Sequence, residues 1–282
     1  MFAKITLNII FYEKMGKKIK KVTTTTTVTT EEIISSNEKT HIICILDTSG
    51  SMTNIMQDSI GGFNEFLKQQ KQLPDKATIT VALFDDKYEL LYDNVDIKHA
   101  EKLTSNIWFP RGCTALYDAI GKTINNEKAN FARLGKEAPK KVLVVIVTDG
   151  QENASHEYKR DDIRKLIKKC EKDDWNFIYL AANQDAFAVG TSFGVSAGNT
   201  YTYAASSAGV SAMSMVMNNA STSYRSMSST QGDFGTSSKS LINPDEEDKD
   251  VPKDNLTGSI TTNNATFGTS NTTTVVDDKD VK

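Results

Sequence analysis

The sequence predicts an α/β protein with a doubly wound, mostly parallel, Rossmann-like sheet, one antiparallel edge strand, helices on both faces and disordered tails. Three observations carry this. Residues 42–46 (IICIL) are five consecutive apolar residues, rich in β-branching and too few for a helix, so they read as a mid-sheet strand buried on both faces. Strand patterns then alternate with helical patterns as far as residue 224, as in sheets wound by right-handed crossovers. Residues 78–84 (TITVALF) and 88–92 (YELLY) are separated only by Asp85-Asp86-Lys87, a turn short enough for an antiparallel hairpin.

Taken in order, residues 1–39 lie outside this pattern. A basic run over residues 14–21 leads into VTTTTTV (22–28), whose β-branched residues suit an edge strand and whose repetition suits disorder. The segment reads as a flexible basic and Thr-rich extension, and Met15 is an alternative start. Residues 53–72 place Ile55, Met56, Ile60, Phe63, Phe66 and Leu67 close to one helical face. Gly61-Gly62 in mid-helix costs about 1 kcal/mol per glycine relative to alanine, and close approach of the helix to the sheet is the expected compensation. Pro74-Asp75 ends this helix.

A short helical stretch is expected at 99–103, then the loop Trp108-Phe109-Pro110-Arg111-Gly112, whose aromatics read as core packing with exposure as the alternative. There follow a helix over 116–131, a strand over 142–147, a basic amphipathic helix over 161–173 and a buried strand over 175–182. A short helix (183–190), a short strand (200–204) and a Met- and Ser-rich helix (208–224) close a domain spanning 40–228. From residue 229, Ser, Thr, Asn, Gly and Asp dominate and apolar residues are isolated, which cannot repay the entropy of ordering. Residues 229–282 therefore read as a disordered acidic tail.

Composition bounds the function. Net charge is −3 over 282 residues, and it is concentrated at the ends: residues 1–21 carry six Lys against one Glu, residues 229–282 ten acids against five Lys. Neither nucleic acid nor a membrane is an expected partner. Three cysteines make no disulfide framework, and reduced thiols in a cytoplasm are the simplest reading. Residues 2–12 are apolar, but Asn8 interrupts them and no small-residue cleavage site follows. No run is long enough to span a bilayer.

The chemistry begins where the first strand ends. Asp47, Ser49 and Ser51 (DTSGS) put a carboxylate and two hydroxyls at the carboxyl end of a central strand, where open α/β sheets keep their ligand crevice. Thr114, in GCTALYDAI (112–120), adds a hydroxyl before a helix, and Asp149, in TDG after the 142–147 strand, adds a second carboxylate. Hydroxyls and acids also cap helices, but capping requires no coincidence of three segments. The three motifs in this order resemble the metal-ion-dependent adhesion site (MIDAS) of von Willebrand factor type A (VWA) domains, of the stand-alone intracellular bacterial or phage type. The resemblance spans roughly residues 40–224 and matches the hairpin to that family's antiparallel edge strand.

What the resemblance implies is one divalent cation, Mg²⁺ or alternatively Mn²⁺ or Ca²⁺, held by Asp47, Ser49, Ser51, Thr114 and Asp149, with an open position for a partner's carboxylate. Thr53-Asn54 stands where the family's second metal site places acids, so one ion is expected. Glu152 and His156 read as a solvated loop, Asp85 and Asp86 as turn formers, and Asp118 as a helix-dipole partner. Cys113 has no His at motif spacing and no nucleophilic role is expected.

The function expected is therefore a metal-dependent protein-binding module, not an enzyme, recruiting an Asp or Glu of a partner protein. An AAA+ ATPase or a stress-response protein is the partner class that intracellular relatives suggest. One alternative is a metal-assisted phosphate-ester hydrolase, against which stand Ser49 in place of a second Asp and the lack of a phosphate-binding glycine loop. Another is a structural component of a phage or bacterial assembly.

Overall fold

The structure, a computed structural model, describes residues 3–15, 18–30, 39–226 and 268–275, with side chains over 39–226. In chain order the elements are β1 (Ala3–Met15), β2 (Lys18–Thr30), β3 (Thr40–Asp47), α1 (Met56–Gln72), β4 (Ala77–Phe84), β5 (Tyr88–Asp96), α2 (Leu116–Leu134), β6 (Lys141–Thr148), α3 (Arg160–Glu171), β7 (Trp175–Ala182), α4 (Ala186–Ser192), β8 (Thr200–Tyr203), α5 (Ser207–Ser226) and β9 (Gly268–Val275). They divide between two compact units, residues 35–247 and residues 1–34 with 248–282.

The larger unit is a six-stranded sheet in the order β5-β4-β3-β6-β7-β8. All neighbours are parallel except β4 and β5, which form the predicted antiparallel edge. From β3 the chain winds outward to β4 and β5, then α2 returns it to β6 on the other side of β3. The connections leaving the carboxyl ends of β3 and β6 diverge, and that is the topological switch point where such sheets bind ligands.

Alternation along each strand fills two cores. Ile42, Cys44 and Leu46 of β3 pack with Leu143, Val145 and Val147 of β6 under α1 and α5. Ile43, Ile45, Val142, Val144 and Ile146 face the opposite way, under α2, α3 and α4. Burial on both faces explains the uninterrupted apolar runs.

Several local expectations change. Gly62 makes its close approach to α5, not to the sheet: a Cβ there would fall 2.0 Å from Ser214 Oγ, whereas at Gly61 it would meet nothing within 4 Å. Residues 99–103 form no helix, only turns such as His99 N–H to Asp96 O. β5 runs on to Asp96 through a bulge, with Asn94 in the left-handed region at φ 52°. Trp108 is buried, Phe109 is 41% exposed, and Met213 and Met217 pack in the core while Met215 does not.

In the smaller unit, β1 pairs antiparallel with β2, and β2 with β9 from Val22↔Val275 to Thr29↔Gly268. Residues 22–28, whose composition suits an edge strand and equally suits disorder, fall within β2. The β-branched Thr and Val content favours extended pairing. Of the two tails, residues 1–2, 16–17, 31–38, 229–267 and 276–282 lie outside the described residues. Among the described residues, no helix is long and apolar enough to cross a membrane.

Candidate metal site

Each of the five predicted residues is placed by a different constraint, and the fold brings all five to the switch point. Asp47 is the last residue of β3, with no exposed surface. Its Oδ1 accepts the Ser49 backbone N–H at 2.6 Å, which bends the chain into the turn carrying Ser49 and Ser51. Its Oδ2 accepts the Thr148 hydroxyl at 2.5 Å from the end of neighbouring β6. Ser49 Oγ lies 2.9 Å from Ser51 Oγ, and Ser51 Oγ donates to Asp149 Oδ1 at 2.6 Å. A chain of oxygens thus joins the ends of two strands, and Ser51 is its one exposed member.

Thr114 arrives from a separate loop that is tied down on both sides. Arg111 N–H donates to Thr48 O at 2.7 Å, and Gly50 N–H donates to Gly112 O at 3.2 Å. Thr114 N–H donates to Asn153 Oδ1 at 2.8 Å, and Asn153 N–H returns to Thr114 O at 3.0 Å. Gly112 has φ +61°, and a Cβ there would lie 1.9 Å from Asp86 Oδ1, so both conformation and space require glycine.

Three hydroxyls converge beside Gly150. A Cβ at that position would fall 2.8 Å from Thr114 Oγ1, 3.1 Å from Ser51 Oγ and 3.6 Å from Ser49 Oγ. Asp149 is 3% exposed, and its Oδ2 is buried without a hydrogen-bond partner. Burial pushes the Asp47 carboxyl up to about 6 against the pull of Thr148 and Ser49, and Asp149 adds to the rise. Burial also raises Asp149, while Ser51 pulls it down. An orphaned carboxylate oxygen, two carboxyls whose charge is disfavoured and a pocket of hydroxyls fit a hard cation. Among the described residues no cluster of three or more His, Cys, Asp or Glu could hold a metal, so an ion here would rest on hydroxyls as much as carboxylates.

The structure also shows supporting residues that sequence reading missed. Glu152 is no solvated rim residue: its carboxylate accepts N–H groups of Tyr117, Ala154 and Ser155 and the Ser155 hydroxyl. Asp118 accepts the backbone N–H groups of His156, Glu157 and Tyr158. Together they fasten the loop after β6 to the start of α2, where Thr114 is delivered. Asp85 is more than a turn former, since its buried carboxylate holds Arg111 Nε at 2.6 Å. Trp108 Nε1 donates to Asp47 O at 2.9 Å. Sequence carried one signal for these groups, the density of acids and amides in the loops flanking the motifs.

No family model and no curated relative matches the sequence. Solved structures do. The open conformation of the pilus adhesin SpaC from Lactobacillus rhamnosus GG matches with TM-score 0.53 at 13% identity, over 78% of this chain and 34% of that one. The mussel byssus proximal thread matrix protein 1 with a zinc-occupied MIDAS motif matches with TM-score 0.48 at 16% identity, over 67% and 47%. A von Willebrand factor type A protein from Catenulispora acidiphila matches with TM-score 0.46 at 14% identity, over 77% and 49%. The chain spans about half the length of the first solved structures it matches, and the likeness is one of fold.

Proposed function

We propose that residues 40–228 are a metal-dependent protein-binding module of the VWA kind, which recruits an acidic group of a partner protein and turns over no substrate. The observation that best supports this is the buried, unpartnered Asp149 Oδ2 beside the converging hydroxyls of Thr114, Ser51 and Ser49. A carboxylate oxygen without a partner in the interior costs more than an ordinary lost hydrogen bond, and a cation at that place offsets the cost. Asp47, Ser49, Ser51, Thr114 and Asp149 would hold Mg²⁺ or Mn²⁺. A divalent ion so held, with few anionic ligands, supplies a coordination position that attracts an incoming carboxylate.

The chain's own groups do the rest. Thr148 and the Ser49 N–H fix both oxygens of Asp47, so its orientation does not depend on the ion. Exposed Ser51 marks the side from which a partner approaches. The serine hydroxyls are hydrogen-bonded to each other and, through Ser51, to the Asp149 carboxylate, a set of oxygens suited to holding a hard cation. Titration calorimetry with Mg²⁺ and with Mn²⁺ tests the reading: one site in wild type, lost in Asp47→Ala plus Asp149→Ala. Equal binding by that variant would show that the ion sits elsewhere.

A further inference from the structure

We infer that the smaller unit is a self-association module, in which one apolar face of its three-stranded sheet packs against the same face of a second copy of this chain. This pairing is independent of the metal site and gives one particle two copies of it.

Residues two apart along a strand share a face, and directly paired residues of neighbouring strands lie on the same one. In β1 this places Ile5, Leu7, Ile9 and Phe11 on one face. The pairs Ile5↔Val28 and Phe11↔Val22 put both valines there too, and Val22↔Val275 carries the face on to β9. Over residues 3–11 of β1 and the positions paired with them, no charged residue lies on this face. Glu13 and Lys20, directly opposite one another, mark its end. The other face carries Lys4, Asn8, Lys14 and Lys21, with Ile10 and Tyr12 among them, and Thr23, Thr25, Thr27 and Thr29. The register therefore makes the sheet amphipathic.

A single layer of strands cannot cover its own face, and an apolar face requires a second layer. Among the described residues the larger unit offers no apolar surface to match it. Its large exposed hydrophobics are Phe109, Leu134, Phe187 and Met215, which stand singly on the loop before α2, the end of α2, α4 and α5. The same face of a second copy does match, in length and in character. Two sheets stacked about 10 Å apart around a two-fold axis, with the Ile5 to Phe11 stripe of each copy over that of the other, cover both faces in one isologous contact. With 13 residues in β1 and in β2 and 8 in β9, at about 3.4 Å per residue and about 4.8 Å between strands, each face has a footprint of about 550 Å². Two such faces bury about 1,100 Å², just above the size at which specific interfaces begin. A dimer of that size is expected to dissociate on dilution in the micromolar range.

Sedimentation velocity of the full chain from about 1 to about 100 μM tests this, and the expected result is a monomer–dimer equilibrium. Ile9→Thr and Ile10→Thr make the same chemical change at adjacent positions on opposite faces, and threonine keeps the β-branched preference for a strand. Ile9→Thr should weaken the dimer at least tenfold, because the change falls in both copies at the contact. Ile10→Thr should leave the dissociation constant within about twofold of wild type. A wild-type chain that stays monomeric over this range, a dimer indifferent to Ile9→Thr, or equal weakening by the two variants would overturn the inference. So would a monomer that co-sediments with vesicles of phosphatidylserine and phosphatidylcholine, which would make a membrane the cover of this face.

Discussion

Replacing Asp47 by Asn should stabilise the metal-free protein at neutral pH while abolishing its response to metal. In the folded state the carboxyl has no exposed surface, and burial raises it from 3.8 to about 6. A raised carboxyl means that the folded state holds its proton more tightly than the unfolded state. The contribution of this group to stability is therefore greatest at low pH, declines as pH rises from 3.8 towards 6, and carries the full cost above that range. At 1.36 kcal/mol per pKa unit, the cost is about 3 kcal/mol. Asn removes the charge but has one acceptor oxygen for two donors, the Ser49 N–H and the Thr148 hydroxyl, and losing one such bond costs about 1–2 kcal/mol. The net expectation is a gain of about 1–2 kcal/mol above pH 6 in EDTA, shrinking as pH falls. Added Mg²⁺ at a hundredfold excess over its dissociation constant should then stabilise wild type by about 2.7 kcal/mol and leave Asp47→Asn unmoved. Urea unfolding across pH, with and without Mg²⁺, reads all of these quantities. A variant less stable than wild type in EDTA above pH 6, or one that gains as much from Mg²⁺, would refute the reasoning.

Gly150→Ala fills the space beside Thr114 Oγ1 and Ser51 Oγ and should abolish Mg²⁺ binding by calorimetry, with the circular dichroism spectrum unchanged. Thr114→Ala should weaken calorimetric Mn²⁺ binding at least tenfold yet shift stability by no more than about 1 kcal/mol, because its backbone bonds with Asn153 survive. The two adjacent glycines of α1 should respond with opposite sign in denaturant unfolding. Gly61→Ala gains up to about 1 kcal/mol of helix propensity, and Gly62→Ala loses about 1–3 kcal/mol by crowding Ser214. Glu127→Ala should cost about 3–5 kcal/mol by stranding buried His41 and Thr80. Burial pushes the Glu127 carboxyl up, but His41, Thr80 and Asn130 together hold it below its ordinary value. Its stabilisation is therefore present above the unfolded carboxylate range and lost as pH falls through the folded value; an acid titration of stability no steeper in wild type than in Glu127→Ala would contradict this.

How much of this could be read from the chain depended on the range over which each residue acts. Asp47 and Asp149 were legible because each follows an apolar run that can only be a buried strand, and a strand end is a definite place in a doubly wound sheet. Ser49 and Ser51 were legible by their spacing from Asp47, and Thr114 by the 112–120 motif ahead of a helix that the family resemblance picks out. The residues that hold the site together were not, because they act across the sequence: Thr148 reaches Asp47 over 101 positions, and Asp118 reaches the 156–158 backbone over 38 to 40. No local pattern encodes such a partner, since it exists only once β3 and β6 lie side by side.

The same limit applies to the buried charges. Arg225 and Lys141 are almost fully buried, where composition places such residues outside. Their place follows from the end of α5 meeting the end of α1: the Arg225 guanidinium binds Asp75 at 2.7 Å and the carbonyls of Gln70 and Asp75, and its own carbonyl accepts from Lys141 Nζ. This network lies at the edge of the sheet where β3 and β6 begin, and the candidate site lies where they end. Reading outward from strand ends thus finds candidate ligands directly and supporting residues only after the strands are ordered. For this chain the supporting residues, Glu152 and Asp118 above all, decide whether Thr114 is delivered to the site at all.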